Sequence, residues 1–121
     1  MHELSIAESL IDAASDAVSE HGGVRATRIK IRIGLLSGIV QEALRFSFDL
    51  ASSGTPCDGA LLDIEIVPIT VSCSHCNAAQ TLTDSFRFSC PTCGQPTPDV
   101  LSGKDLELTS IEISYQSETN A

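Results

Sequence analysis

The sequence predicts an α+β fold: a small three-stranded mixed sheet with two helices on one face, and a cysteine-bearing lobe inserted ahead of the last strand. Three observations carry this. Two stretches repeat apolar residues at helical spacing, three repeat them at strand spacing, and two Cys-x2-Cys pairs stand in a segment of different composition. A length of 121 residues suits one small domain. An apolar fraction of 42% against 19% charged residues permits a core and excludes a chain disordered throughout.

In residues 4–20, Ile6, Leu10, Ala13, Ala14, Ala17 and Val18 form the stripe of an amphipathic helix. Ser5 and Glu8 are placed for a capping box, although the pattern can extend back to His2, and His21-Gly22-Gly23 is the expected stop. Residues 28–33 then alternate Arg, Ile, Lys, Ile, Arg, Ile, which sets three isoleucines on one sheet face and three cations on the other. After a turn over residues 34–38, Val40, Leu44, Phe48 and Ala51 mark a second helix, with Phe46 and Leu50 read as widening its apolar face.

A second strand follows at residues 61–67, with Leu62, Ile64 and Ile66 facing inward and Asp63 and Glu65 outward. The Arg28/Lys30/Arg32 row can lie beside these acids, but the expected use of the charge is a solvated outer face. A third strand starts at Leu106-Glu107-Leu108. Ile111 and Ile113 fall on the opposite parity, which a bulge near Thr109-Ser110 would reconcile. The cysteine segment joins the second strand to the third, so these two are expected to form an antiparallel pair.

Seven Lys+Arg against 16 Asp+Glu leave a formal charge of −9. Such a chain is repelled by phosphates, which argues against general nucleic-acid binding. No apolar run approaches the roughly 20 residues of a membrane helix, and Met1-His2-Glu3 opens without a basic region or an apolar signal core. The expected protein is soluble and cytoplasmic, with no membrane and no nucleic acid among its partners.

Cys73-x2-Cys76 and Cys90-x2-Cys93 carry the clearest chemistry. In an oxidising compartment four thiols can form two disulfides. In a chain with no mark of secretion, paired short spacings point to Zn(II) instead. Two intervening residues let both sulfurs of a turn reach one metal, and Asn77 and Gly94 supply the left-handed residue that such knuckles often need after the second cysteine. Residues 80–83 and 86–89 look like a hairpin that brings the second knuckle under the first, so the lobe is zinc-ribbon-like. Four thiolates close the coordination sphere, so the metal is expected to be structural and the protein not an enzyme. A lobe of this size depends on metal for its folding free energy. His75, inside the first knuckle, reads as an exposed turn residue, and Cys57, in a Thr-Pro-Cys-Asp-Gly loop, as incidental.

His2 admits two readings. Most histidines at a helix start are simply exposed. Here, however, a retained Met1 amine, the His2 backbone nitrogen once deprotonated and the imidazole can close five- and six-membered chelate rings in one plane. That geometry suits square-planar Ni(II) or Cu(II), and Glu3 can add its backbone nitrogen or its carboxylate.

The opening Met-His-Glu-Leu-Ser-Ile-Ala-Glu-Ser-Leu, the Ile-Arg-Ile-Gly-Leu-Leu-Ser-Gly turn, the Glu42-Ala43-Leu44-Arg45-Phe46 segment, the two cysteine pairs and Leu101-Ser102-Gly103 together resemble the HypA/HybF family over residues 1 to about 115. The resemblance implies a nickel metallochaperone for [NiFe] hydrogenase maturation. It assigns transient Ni(II) cargo to His2, with Met1 and Glu3 as accessory donors, and structural Zn(II) to Cys73, Cys76, Cys90 and Cys93. It also implies a hydrogenase maturation GTPase and the hydrogenase large-subunit precursor as partners, for a monomer or homodimer. On this reading residues 1–70 and 104–116 form a nickel-binding αβ domain, 71–103 a zinc-binding domain and 117–121 a flexible tail. Leu35 departs from the usual Glu, Gln41 from Pro and Asn77 from Gly, and none of these removes a ligand. The competing function is a zinc-ribbon interaction adaptor without transferable metal, recognising protein or single-stranded RNA through Phe86 and Phe88; the acidic charge argues against RNA.

Overall fold

The computed structural model describes residues 2–82, 88–97 and 99–115. Its elements are α1 (Glu3–Glu20), β1 (Arg25–Gly34), α2 (Gln41–Ser52), β2 (Leu61–Val67), β3 (Ile69–Cys73), β4 (Ala78–Leu82), β5 (Asp99–Ser102) and β6 (Leu106–Ser114). They form two three-stranded sheets, of order β2-β1-β6 and β4-β3-β5. No described helix is long and apolar enough to cross a membrane. The described chain divides into two compact units. One takes the chain up to Ile31, Ile39–Ile64 and the residues from Leu108 onward; the other takes Arg32–Gly38 and Glu65–Glu107.

In the first unit, α1 packs on α2 and buries Ile6, Ala7, Leu10, Ile11, Ala14 and Val18. The predicted stripe was right in its direction, but Ala13 is exposed. The Ser5/Glu8 capping box does not form, because the helix begins earlier, at Glu3, and its N-cap is His2. The stop falls where expected: the Gly23 amide donates to the Val18 carbonyl at 2.8 Å, while Gly22 takes a φ of 68°.

α2 buries Leu44 and Phe48. Phe46 and Leu50 do not widen that face; they are 66% and 61% exposed. The helical turn explains the correction, since each lies two residues, about 200°, from the buried residue before it. In the sheet, Ile29 and Ile31 are fully buried, as the alternation required, while Ile66 of β2 is 40% exposed rather than inward.

β2 and β6 are not neighbours. β1 lies between them, parallel to β2 through the α2 crossover and antiparallel to β6. The pairings show the directions: Arg28 meets Asp63 and Arg32 meets Glu65 as both chains advance, whereas the Val24 amide donates to the Ser114 carbonyl and the Gly34 amide to that of Asp105. The charge pattern suits this order. Side by side, β2 and β6 would bring acidic rows together, whereas the cations of β1 separate them: Arg28 reaches Asp63 at 3.5 Å and Glu112 at 3.6 Å, and Arg32 reaches Glu65 at 3.4 Å and Glu107 at 4.0 Å. Each pair is half exposed and contributes only about 0–1 kcal/mol. On β6, Thr109 and Ser110 are both exposed and the burial pattern changes parity there, as the bulge reading anticipated.

The second unit holds a sheet that the sequence reading did not separate from the lobe. Ile69, Val71 and Cys73 alternate inward along β3, and Ile69 and Val71 join Leu82 in a core against which Leu36 and Val100 pack. β3 pairs antiparallel with β4 from Ile69↔Leu82 to Cys73↔Ala78, and on its other side with β5 through a shift between Thr70 and Val71. The expected hairpin of residues 80–83 with 86–89 falls partly outside the described residues; within them, the partner of β4 is β3. Phe86 and the 117–121 tail also lie outside. The turn after β1 fits closely against this unit's backbone. A Cβ on Gly34 would lie 2.2 Å from the Gly103 carbonyl group, and the Leu36 amide donates to the Gly103 oxygen at 2.7 Å.

Candidate metal sites

The two cysteine pairs reach one place by different routes. Cys73 ends β3 and faces Ala78 across the hairpin, so residues 74–77 are the β3–β4 loop and the first knuckle is a hairpin turn. Asn77 closes it with a φ of 55°. The second knuckle is closed by the Gly94 amide donating to the Cys90 carbonyl and the Cys90 amide to that of Gln95, each at 2.8 Å, with Gly94 at a φ of 78°. Beyond it, Ser89 bridges Pro96. Thr92 Oγ1 also lies 3.3 Å from Gln80 Oε1 on β4.

All four sulfurs lie within 4.8 Å of one another. Cys73 Sγ is 3.5 Å from Cys93 Sγ, and Cys76 Sγ is 3.8 Å from Cys90 Sγ. A tetrahedron with Zn–S bonds of about 2.3 Å has edges of about 3.8 Å, so the spacing fits a structural zinc. Backbone amides also point at two of the sulfurs, that of Cys76 at Cys73 Sγ and that of Thr92 at Cys90 Sγ, both at 3.4 Å. As free thiols, Cys76 and Cys90 shift in opposite directions. Cys76 is pushed up to about 12, first by its hydrogen bond to Cys93. At Cys90 burial opposes ionisation, yet the Cys93 and Thr92 amides bring the thiol down to about 6.

The amino-terminal candidates are arranged differently. Met1 lies outside the described residues. His2 is exposed; its carbonyl accepts the first helical bond, from the Ile6 amide at 3.1 Å, while its imidazole makes no capping bond. Glu3 does not project into solvent unengaged. Its Oε2 accepts a hydrogen bond from the Val40 amide at 3.1 Å. That bond, followed by one from its own amide, holds the Glu3 carboxyl below its ordinary range.

Val40, read from the sequence as the first apolar residue of the second helix, is instead its exposed N-cap, and the contact of its amide with Glu3 is what the sequence reading missed. The signal available was indirect: α2 begins with a valine N-cap and has Ala43 three residues on, so neither capping position carries a side-chain acceptor. His75 is exposed and is not among the clustered cysteines, and Leu35 is exposed with its amide donating to the Val67 carbonyl. Cys57 is fully buried, its sulfur 3.8 Å from the Ile11 carbonyl and 3.9 Å from the Ser15 hydroxyl.

Comparison with known proteins adds to this geometry. A family model described as "Hydrogenase/urease nickel incorporation, metallochaperone, hypA" matches residues 1–113. The hydrogenase maturation factor HypA of Chloroflexus aurantiacus is 49% identical over 112 residues, which cover 93% of this chain and 98% of that one. Its counterpart from a Roseiflexus species is 44% identical over 119 residues, covering 98% and 95%. The fold matches the solution structure of the nickel metallochaperone HypA from Helicobacter pylori with a TM-score of 0.66, at 21% identity, over 96% of this chain and all of that one.

Proposed function

The chain belongs to the HypA family of nickel-incorporation metallochaperones, and from that premise we propose that it carries Ni(II) at its amino terminus and releases it during hydrogenase maturation. A metallochaperone moves a metal and is not an enzyme. The observation that carries the reading is His2: an exposed N-cap whose carbonyl is committed to the helix and whose imidazole makes no capping bond. Together with the Met1 amine and the deprotonated His2 amide nitrogen, it supplies a planar three-nitrogen set of the kind Ni(II) favours, with Glu3 as an accessory donor. An open terminal site of this kind can yield a ligand position to a recipient, which a closed cage cannot.

Cys73, Cys76, Cys90 and Cys93 would hold the resident zinc, which supplies folding free energy to the 71–103 lobe and leaves no coordination position for a substrate. Residues 1–70 and 104–116 are then the nickel-bearing domain. The proposed exchange partners are a maturation GTPase and the hydrogenase large-subunit precursor, met in the cytoplasm.

Titrating zinc-loaded protein with Ni(II) in a calorimeter tests this. Extending the chain by two residues before Met1 turns the amine into an amide, a much poorer donor. That extension and His2→Ala should each abolish tight binding and leave the zinc content unchanged. Unchanged nickel affinity in both variants would place the site elsewhere.

A further inference from the structure

The Glu3 carboxylate does for α2 what α2 cannot do for itself. In a capping box, a Glu or Gln at the third helical position reaches back to the N-cap amide. In α2 the third position is Ala43 and the N-cap is Val40, so the helix has no such side chain. Glu3, 37 residues earlier and on another helix, takes that role with Oε2 at 3.1 Å from the Val40 nitrogen. A carboxylate is also the group that the positive end of the α2 dipole favours.

The bond has a consequence for the chain just before it. The peptide joining His2 to Glu3 is held from both sides: its carbonyl accepts from the Ile6 amide at 3.1 Å, and the side chain that follows it is tied to Val40. Its nitrogen is the Glu3 amide, which as the first residue of α1 has no carbonyl four residues earlier to bond and donates instead to its own carboxylate.

We propose that Glu3 is a positioning residue of the nickel terminus, whose carboxylate fixes the first turn of α1 to the N-cap amide of α2 and so holds the His2 and Glu3 nitrogens in one orientation, rather than coordinating the metal itself. This rests on the nickel reading given above. Losing the tie frees backbone rotations that metal binding must then fix, which weakens nickel binding by about tenfold for one residue's worth of ordering.

The test uses full-length, zinc-loaded protein and Ni(II) alone, with five variants. Glu3→Ala removes the acceptor, and Val40→Pro removes the donor without altering Glu3; the Val40 φ of −88° lies close to that of proline. Both should weaken nickel binding by a similar factor and accelerate exchange of the Ile6 amide, the first one bonded in α1, in nickel-free protein. The double variant should be no worse than either single one, and Glu3→Gln, which keeps an acceptor oxygen, should recover most of the loss. The visible absorption of bound nickel should be the same in all of these, because the donors are the same.

If Val40→Pro binds nickel as the native chain does while Glu3→Ala and Glu3→Gln both fail with an altered spectrum, the carboxylate is a ligand and the proposal is overturned. The fifth variant, His2→Ala, separates the two levels. If it too leaves nickel affinity unchanged, the nickel reading itself falls; if it abolishes binding while Glu3→Ala and Val40→Pro change neither affinity nor exchange, only the positioning role falls.

Discussion

Cys57 illustrates how one side chain's surroundings decide its chemistry. It shares a residue type with the metal-binding candidates, but its sulfur lies against the Ile11 carbonyl and the Ser15 hydroxyl rather than against other thiols. Burial pushes its thiol above the ordinary range, and the hydrogen bonds with Ser15 and Thr55 only partly offset this. The folded state therefore keeps its proton to higher pH than the unfolded chain does, so the contribution of Cys57 to stability is complete below the unfolded pKa, about 8.5, and declines as pH rises above it. Urea midpoints measured at pH 8 and pH 10 should fall more for the native protein than for Cys57→Ala; an equal fall in both would show that burial does not govern this thiol. In the native state it should also resist alkylating reagents, since thiolate is the reactive form.

Between elements, the tightest constraint is the approach of Gly34, at the end of β1, to Gly103 just after β5. Gly34→Ala would place a methyl group 2.2 Å from a backbone carbonyl, and neither segment can retreat without giving up the Leu36–Gly103 hydrogen bond. A loss of about 1–3 kcal/mol is expected from such overpacking. Gly38→Ala is the control. It carries a positive φ of 77° but meets nothing within 4 Å, so its cost is that of backbone strain alone, about 1–2 kcal/mol. The two should differ in the kind of damage as well as its size, with Gly34→Ala perturbing the amides of Leu36 and Gly103 in an exchange experiment; if their protection is unchanged, the close approach is not a constraint.

Elements whose cause is local were legible in the sequence. The stripe of α1, the Arg/Ile alternation of β1 and the left-handed residues Asn77 and Gly94 all follow from spacing or residue type alone. β3 and β5 were not legible, because five and four residues are too few for a period to emerge, and Pro68 and the cysteines interrupt the apolar pattern around them. The order β2-β1-β6 depends on pairings between distant segments, and so does the partner of Glu3. In each case the missing information was the identity of the neighbour.

At the scale of the molecule, the two units draw on different sources of stability. The first buries Ile6, Leu10, Ile29, Ile31, Leu44 and Phe48, a set large enough to persist by its own apolar burial. The second has a core of Ile69, Val71 and Leu82 beside four clustered sulfurs, so its order depends heavily on the metal. Chelating the zinc should remove amide protection from β3, β4 and β5 and leave α1 and α2 protected; simultaneous loss everywhere would mean that the chain folds as one cooperative body. The sulfur spacing has an optical consequence as well. A tetrahedral site has no centre of inversion, so a metal with a partly filled d shell absorbs visible light there far more strongly than in a centrosymmetric field. With Co(II) in place of Zn(II), the lobe would become coloured, and the integrity of the sulfur site could be followed through its own absorption bands while the terminal site is loaded and emptied.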